Sequence, residues 1–283
     1  MDEKLGRRTF VMTTLASGFA LAVSPAGAQT ITTDSAGLVA GEIKIGGGGG
    51  LAEVPAYRAQ PEGGGKFPLI VVVSEVFGVH EHIKDLCRRL AKAGYMAIAP
   101  ELFARQGDVT KLTDINAVVA IVTKVPDEQV MRDLDATVEW ARRSGKLEGD
   151  RVGITGFCWG GRIAWLYSAR TGPGGAPKAG VAWYGKLSNA PNALQTTTTL
   201  DVASKLRAPV LGLYGGQDSG IPMGHVELMR REIAANPKKV PSEIIVYANA
   251  PHAFNADYRP SYRKADAEDG WAKMLAWMKK NGV

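Results

Sequence analysis

Cysteine and histidine are scarce in this 283-residue chain, which contains two cysteines, Cys87 and Cys158, and four histidines. A disulfide-stabilised scaffold has more cysteines in a shorter chain. Two cysteines cannot form a four-cysteine zinc site, and the histidines form no H-E-x-x-H motif. The composition therefore predicts neither a disulfide-rich protein nor a metal site.

Long apolar runs and clustered charge are also lacking. After the N-terminus, no apolar stretch is long enough to span a membrane. The formal charge is +6, but basic and acidic residues are interspersed, and no basic stripe alternates with aromatic residues. We therefore expect no nucleic-acid partner. The mild positive excess is compatible with a small anionic substrate.

Residues 1–28 have the order of an export signal. Arg7 and Arg8 precede a mildly apolar run at 11–23, which the small residues Ala26-Gly27-Ala28 follow. We expect cleavage after Ala28, export to the periplasm or medium, and no stable membrane insertion afterwards. The alternatives are a membrane anchor and a simple N-terminal helix. Cleavage would leave 255 residues with a formal charge of +5, a length that suits one large domain.

The rest of the chain alternates strand and helix patterns. Residues 29–41 are predicted to be a loose leader, and 42–283 a single domain. Strands are predicted at 42–45, 51–59, 68–73, 95–99, 151–155, 179–184, 209–214 and 243–247. Helices are predicted at 82–93, 112–124, 127–144, 159–170, 223–235 and 262–280. This alternation predicts an α/β fold whose mostly parallel central sheet carries helices on both faces, with active-site loops at the carboxyl ends of the strands.

The glycine-rich stretches 46–50 and 63–65 are interpreted as turns next to the first two strands. Neither has the spacing of a phosphate-binding loop between a strand and a helix. A third glycine-rich segment, Gly156-Phe157-Cys158-Trp159-Gly160, lies where a predicted strand meets a predicted helix. Such a sharp turn exposes its central side chain above the sheet. The helix N-terminus would favour the reactive thiolate form of Cys158.

A cysteine nucleophile requires a base and a group that orients the base. Asp218 and His252 each follow a predicted buried strand, in the order nucleophile, acid, histidine that this type of turn predicts. Other roles are open: Asp218 as a cap of the next helix, and His252 as a surface turn residue. His225 is a rival base, but it lies within a helical pattern.

An acyl-transfer reaction also requires donors for the oxyanion. One predicted donor is the backbone N–H of Trp159, directly after the cysteine. The other is expected from the loop after strand 68–73, at Val76.

Five segments of the chain resemble the dienelactone hydrolase family of α/β-hydrolases. They are Ser74–Val79, Gly94–Phe103, Gly156–Gly161, Gly215–Asp218 and Pro251–Phe254. The resemblance implies hydrolysis of a carboxylic ester or lactone through a Cys-Asp-His triad and a thioester acyl-enzyme. It implies no metal and no organic cofactor, and it makes a monomer reasonable.

The resemblance also assigns roles to single residues. It implies that Glu75 contacts the nucleophile and helps it become a thiolate; alternatively, Glu75 orders its loop, paired with an arginine. Arg105 matches an arginine that holds a substrate carboxylate in the family. A second such arginine would stand at position 256, which here is Ala256. Arg259 is the candidate replacement, with the tying of a loop as its alternative role.

A different class of function competes with the hydrolase. On the same scaffold, a non-catalytic binding or thiol-redox protein would have Cys158 oxidised or paired with Cys87. Cys87 lies among apolar residues at helical spacing and is interpreted as a packed core thiol.

Overall fold

The structure, a computed structural model, describes residues 30–46, 48–172, 174–188 and 192–283, so the expected export signal lies outside the described residues. The strands are β1 Leu38–Ile45, β2 Val54–Pro61, β3 Phe67–Val73, β4 Met96–Pro100, β5 Leu147–Phe157, β6 Ala179–Trp183, β7 Val210–Gly215 and β8 Glu243–Tyr247. The helices are α1 Glu81–Lys92, α2 Ile115–Val122, α3 Asp127–Arg143, α4 Trp159–Ser168, α5 Leu200–Ala203, α6 Met223–Ala234 and α7 Lys264–Lys280. No helix among these residues has the length and apolar character needed to cross a membrane.

The strands form one sheet in the order β1-β2-β4-β3-β5-β6-β7-β8. Strands β3 to β8 are parallel, whereas β1 and β2 form an antiparallel pair at one edge. Residues Leu69 to Val73 of β3 are fully buried, as expected for a central strand covered on both faces. This architecture confirms the predicted α/β-hydrolase fold class.

Helices cover both faces of the sheet. A Cβ placed on Gly153 of β5 would lie 2.7 Å from Met278 of α7. Ile154, the next residue, pairs with Gly180 of β6, where a Cβ would lie 2.5 Å from Ser168 of α4. Since consecutive strand residues point to opposite faces, α7 and α4 lie on opposite sides.

The predicted boundary between the loose leader, 29–41, and the first strand differs from the structure. Strand β1 begins at Leu38, four residues earlier than predicted, and pairs with β2 along its whole length. Before it, the Thr33 N–H donates to Asp85 Oδ1 and the Thr33 carbonyl accepts from Arg88 Nε, at 2.5 and 2.7 Å. Asp85 and Arg88 are buried on α1, and buried charged groups need hydrogen-bond partners. The segment supplies them and is therefore held in place.

Other element boundaries also differ from the prediction. The helix predicted at 112–124 is the shorter α2, Ile115–Val122, which a 3₁₀ turn at Val109–Lys111 precedes. Asp114 caps α2 by accepting a hydrogen bond from the Asn116 N–H, which fixes the later start. Helix α5 was not predicted, because four residues are too few to show helical periodicity.

Candidate active site

Cys158 occupies the sharp turn between β5 and α4. Its backbone has φ 55° and ψ −111°, a conformation that a side-chain-bearing residue seldom adopts. The Cys158 N–H donates to the Trp183 carbonyl at 3.0 Å, and the Cys158 carbonyl accepts from the Gly161 N–H at 3.0 Å. Such strain costs on the order of 1–3 kcal/mol and is concentrated at functional sites. Cys158 is half-buried, whereas Cys87 is buried.

Gly156 and Gly160 allow this turn because the backbone passes too close for any side chain. A Cβ on Gly156 would lie 2.0 Å from the carbonyl oxygen of Gly160. A Cβ on Gly160 would lie 2.3 Å from the carbonyl oxygen of Val73 in β3. The spacing noticed in the sequence thus has a steric cause.

Asp218 and His252 form a direct pair beside the turn. Nδ1 of His252 lies 2.6 Å from Oδ2 of Asp218, whose side chain is fully buried. The other carboxylate oxygen accepts from the Gly220 N–H at 2.9 Å. Helix α6 has Pro222 at its N-cap and no side-chain cap. Asp218 therefore orders its own turn and orients His252, but it does not cap α6.

His252 joins this pair to the cysteine. Burial lowers the pKa of the imidazole, but the negative charge of Cys158, the hydrogen bond with Asp218 and a hydrogen bond with Cys158 together raise it to about 10. A thiolate at Cys158 and the Asp218 carboxylate thus both favour the protonated form of the imidazole. Cys158, His252 and Asp218 lie together, whereas His225 lies in the first turn of α6.

Glu75 is the centre of a buried polar cluster just after β3. The Tyr258 hydroxyl donates to its Oε2 at 2.6 Å, and Arg259 Nη2 and His80 Nε2 lie 3.4 and 3.8 Å from the same oxygen. Burial would raise the pKa of Glu75, but the positive charge of Arg259 and the nearby His80 imidazole outweigh it and lower the pKa well below its usual value. Glu75 is therefore a fixed anion paired with Arg259. Burial would lower the pKa of the Arg259 guanidinium, but the negative charge of Glu75 raises it, with smaller contributions in the same direction from Tyr258 and Cys158.

Arg105 is engaged elsewhere. Its two terminal nitrogens lie 2.5 and 2.9 Å from the two carboxylate oxygens of Asp133 on α3, and Nη2 also donates to the Ala52 carbonyl at 2.5 Å. The Asp133 side chain is fully buried. This bidentate pair ties the loop after β4 to α3, and the structure records no contact between Arg105 and the Cys158–His252–Asp218 group.

The two predicted oxyanion donors lie at the start of α4 and in the turn after β3. Trp159 begins α4, where first-turn N–H groups have no partner within the helix. Val76 lies in a tight turn that the Gly78 N–H closes onto the Glu75 carbonyl at 3.3 Å. Next to this turn, the Val79 N–H donates to Oε2 of Glu101 at 2.7 Å.

Two tyrosines were not predicted as site residues. Tyr184 is fully buried with φ 39°, and its ring packs edge-on against the His252 imidazole at 5.1 Å between centroids. It is the last residue of the predicted strand 179–184, so the rule that sites form at strand ends could have found it. Tyr258 donates to Glu75, but no signal in the sequence identifies it.

Both thiols are free. Cys87 is fully buried on α1, where burial raises the pKa of the thiol; this confirms its interpretation as a core residue. A Cys87–Cys158 disulfide is absent. Across the part of the chain that the structure describes, no three His, Cys, Asp or Glu side chains are grouped to hold a metal ion.

A family model, curated relatives and a solved structure give consistent matches to this chain. The model of the dienelactone hydrolase family matches residues 54–282. A "Putative carboxymethylenebutenolidase" from Methylorubrum extorquens is 57% identical over 281 residues, which cover 99% of this chain and 94% of that protein. One of the same name from Escherichia coli K12 is 52% identical over 275 residues, covering 95% and 97%. A crystal structure titled "Putative Dienelactone Hydrolase", from Klebsiella pneumoniae, is 50% identical, has a TM-score of 0.80 and covers 86% of this chain and 99% of its own.

Proposed function

The chain belongs to the dienelactone hydrolase family and is a carboxylic ester or lactone hydrolase; we propose that it acts through a thioester formed on Cys158. The observation that carries this proposal is the contact of His252 with both Cys158 and Asp218 beside a strained turn. A cysteine, a histidine and a buried carboxylate in this relation form an activated nucleophile. His252 in its protonated form is the counterion that a thiolate needs.

In the first half of the reaction, the Cys158 thiolate attacks the carbonyl carbon of the ester. The carbonyl π electrons move onto oxygen, and the backbone N–H groups of Trp159 and Val76 donate to the resulting oxyanion. The intermediate collapses, the carbon–oxygen bond to the leaving group breaks, and the alkoxide takes the proton of His252 Nε2. The product is a thioester on Cys158 and a free alcohol, or the open chain of a lactone.

In the second half, neutral His252 accepts a proton from water as the water oxygen attacks the thioester carbonyl. The carbon–sulfur bond breaks, the carboxylic acid leaves, and Cys158 returns as the thiolate facing the imidazolium. Asp218 accepts the Nδ1–H throughout, which fixes the tautomer and leaves Nε2 to exchange protons. Amides are poorer substrates because thiolates expel amines slowly unless these are protonated in time.

Glu75 acts in this proposal through its loop. As a buried anion it holds Tyr258 and Arg259, and its backbone carbonyl accepts from the Gly78 N–H in the turn that carries Val76. Its low pKa means that it does not take the Cys158 proton in this arrangement; His252 is the group placed to do so. Glu75 is therefore assigned the ordering of the oxyanion loop and the electrostatic environment of the nucleophile.

The test is hydrolysis of 4-nitrophenyl acetate and of a cis-dienelactone by the protein and by Cys158→Ala. We expect turnover of at least one of these by the wild type, none by the variant, and an acyl adduct on the Cys158-containing peptide when the reaction is quenched in acid. Retained activity in Cys158→Ala would show that Cys158 is not the nucleophile. Cys87→Ala is the matched control. The Cys87 thiol is buried, so this variant should keep wild-type turnover.

We also propose that the protein is exported after cleavage at Ala28, as the N-terminal pattern predicts. A cut there would leave intact the contacts of Thr33 with α1. N-terminal sequencing of protein from the periplasmic fraction should start at Gln29. Replacing Arg7 and Arg8 by lysine should keep the chain in the cytoplasm; export that persists in this variant argues against a twin-arginine route.

A further inference from the structure

Glu101 carries a carboxyl group that the proposed reaction does not use. The residue directly follows β4, and its backbone N–H donates to the Pro55 carbonyl of β2 at 2.8 Å. Of its two carboxyl oxygens, Oε1 is buried and has no hydrogen-bond partner among the described residues, whereas Oε2 accepts from the Val79 N–H at 2.7 Å. The main chain of Glu101 is therefore anchored to the sheet, while its side chain reaches the loop that leaves β3.

The carboxyl group packs closely on that loop. A Cβ placed on Gly78 would lie 2.7 Å from Oε2 and 3.0 Å from Oε1 of Glu101, and 2.9 Å from Cγ2 of Val109. Gly78 has φ 73°, and its N–H donates to the Glu75 carbonyl at 3.3 Å. The side chain of Glu101 thus fits against a glycine in the turn that carries Val76.

Val76 lies between two fixed points of the chain. On one side, the Glu75 carboxylate faces Arg259 at 3.4 Å. On the other side, Glu101 holds the Val79 N–H. Val79 is buried, and a buried N–H that loses its acceptor costs about 1–3 kcal/mol. Without the side-chain oxygen of Glu101, this end of the loop would therefore move toward another acceptor and displace the Val76 N–H.

The acceptor role of Glu101 does not depend on its charge. Burial, the largest influence, raises the pKa of this carboxyl to about 7, and the negative charge of Asp108 acts in the same direction. The Val79 and Phe103 N–H groups and the charge of Lys84 act to lower it. Oε2 can accept from the Val79 N–H whether or not Oε1 carries a proton. The length and position of this side chain therefore matter more than its charge.

We infer that Glu101 is a positioning residue for the oxyanion loop: its side-chain oxygen fixes Val79 and thereby the Val76 N–H that donates to the oxyanion. This inference rests on the proposed function and adds to it a residue that acts without touching the substrate.

The experiment compares two reactions of the same sulfur. Hydrolysis of 4-nitrophenyl acetate develops an oxyanion, whereas alkylation of Cys158 by iodoacetamide displaces iodide from a saturated carbon and develops none. In Glu101→Met, kcat/KM for the ester should fall about 10- to 100-fold, while the rate of alkylation at neutral pH should stay within about twofold of the wild type. A disordered or partly unfolded site would change both rates, so a parallel loss would overturn the inference.

Two further variants separate position from charge. Glu101→Gln keeps the length of the side chain and an oxygen that accepts from the Val79 N–H, so kcat/KM should stay within about threefold of the wild type. Glu101→Asp keeps the charge but is one methylene shorter, and kcat/KM should fall about tenfold or more. A loss in Glu101→Gln as large as in Glu101→Met, or full activity in Glu101→Asp, would overturn the inference. The Gln variant keeps the test decisive if Glu101→Met does not fold.

Glu53→Met is the matched control, because Glu53 is an exposed glutamate that lies 3.9 Å from Lys44. It should change kcat/KM by less than about twofold. If Cys158→Ala still hydrolyses the ester, the proposed mechanism fails and this inference fails with it. If hydrolysis depends on Cys158 but persists undiminished in Glu101→Met, only the role of Glu101 is overturned.

Discussion

His252 Nδ1 lies 2.6 Å from Asp218 Oδ2, although the two residues belong to loops that leave different strands. The loops meet because β7 and β8 are parallel neighbours, with Gly215 opposite Tyr247. Beyond the strands, the Gly216 N–H donates to the Tyr247 carbonyl and the Gln217 N–H to the Ala250 carbonyl, at 2.8 and 3.0 Å. The pair is thus held by backbone hydrogen bonds as well as by its own contact.

Asp218→Asn should lower kcat/KM by about 10²–10⁴-fold. The amide keeps the shape of the carboxylate but lacks its charge, and it can impose the wrong tautomer on His252. Steady-state kinetics on an activated ester measure the loss. Asp150→Asn, at an exposed surface pair with Arg142, is the control and should change kcat/KM by less than about twofold. A comparable loss in both variants would argue against a specific role for Asp218.

His252→Gln should slow alkylation of Cys158 by iodoacetamide at neutral pH by about tenfold or more. The imidazolium stabilises the thiolate, and the variant removes this counter-charge. Mass spectrometry of tryptic peptides follows each cysteine separately. Cys87 is an internal control, since burial raises the pKa of its thiol and hides it from the reagent. An unchanged rate at Cys158 would mean that His252 does not activate it.

Glu101 should make the protein less stable as pH rises from about 4.5 to 7. Burial raises the pKa of this carboxyl to about 7, more than the hydrogen bonds from the Val79 and Phe103 N–H groups lower it. In that window the folded state binds more protons than the unfolded state, so the free energy of unfolding falls with increasing pH. Glu101→Gln should remove this fall while its amide oxygen still accepts from Val79. The melting temperatures of the wild type and of Glu101→Gln are measured at pH 5 and at pH 8. If both melting temperatures fall by the same amount between these pH values, the prediction is contradicted.

Arg105→Met should reduce the free energy of unfolding by about 3–5 kcal/mol, because it leaves Asp133 buried without a partner. The double variant Arg105→Met/Asp133→Leu should recover most of the loss, since no charge then remains inside. Urea unfolding monitored by tryptophan fluorescence measures both. The matched control is Arg142→Met, which breaks a surface pair with Asp150 and should cost less than about 1 kcal/mol. Similar losses of unfolding free energy in Arg105→Met and Arg142→Met would show that the buried Asp133 pair contributes no more to stability than a surface pair.

Gly156→Ala should destabilise the fold by at least about 3 kcal/mol or prevent soluble expression. The added Cβ would fall on the backbone of Gly160, 2.0 Å from its carbonyl oxygen, and backbone cannot step aside as a flexible side chain can. Gly224→Ala is the control. No atom lies within 4 Å of a Cβ there, and alanine in α6 should stabilise the protein by up to about 1 kcal/mol. A well-folded Gly156→Ala variant would contradict the steric account.

Much of the fold was predictable from local pattern. Two predictions depended only on which face of an element is buried. They are the strand predicted from the β-branched run in β3 and the helix predicted from the apolar spacing around Cys87, and the structure confirms both. The strand at Leu38 was not predictable, because its pairing with β2 and the contacts of Thr33 with α1 are made by residues distant in the chain.

The sequence by itself determined the sharp turn at Cys158 and the order in which Cys158, Asp218 and His252 follow their strands, because glycine spacing and strand ends are local features. Only the tertiary structure decided how the charges pair. Arg105 is bound to Asp133 on α3, and Arg259 to Glu75, a residue 184 positions away. The sequence shows that an arginine is present, but the free energy of burying a charge depends on which carboxylate the folded chain brings beside it.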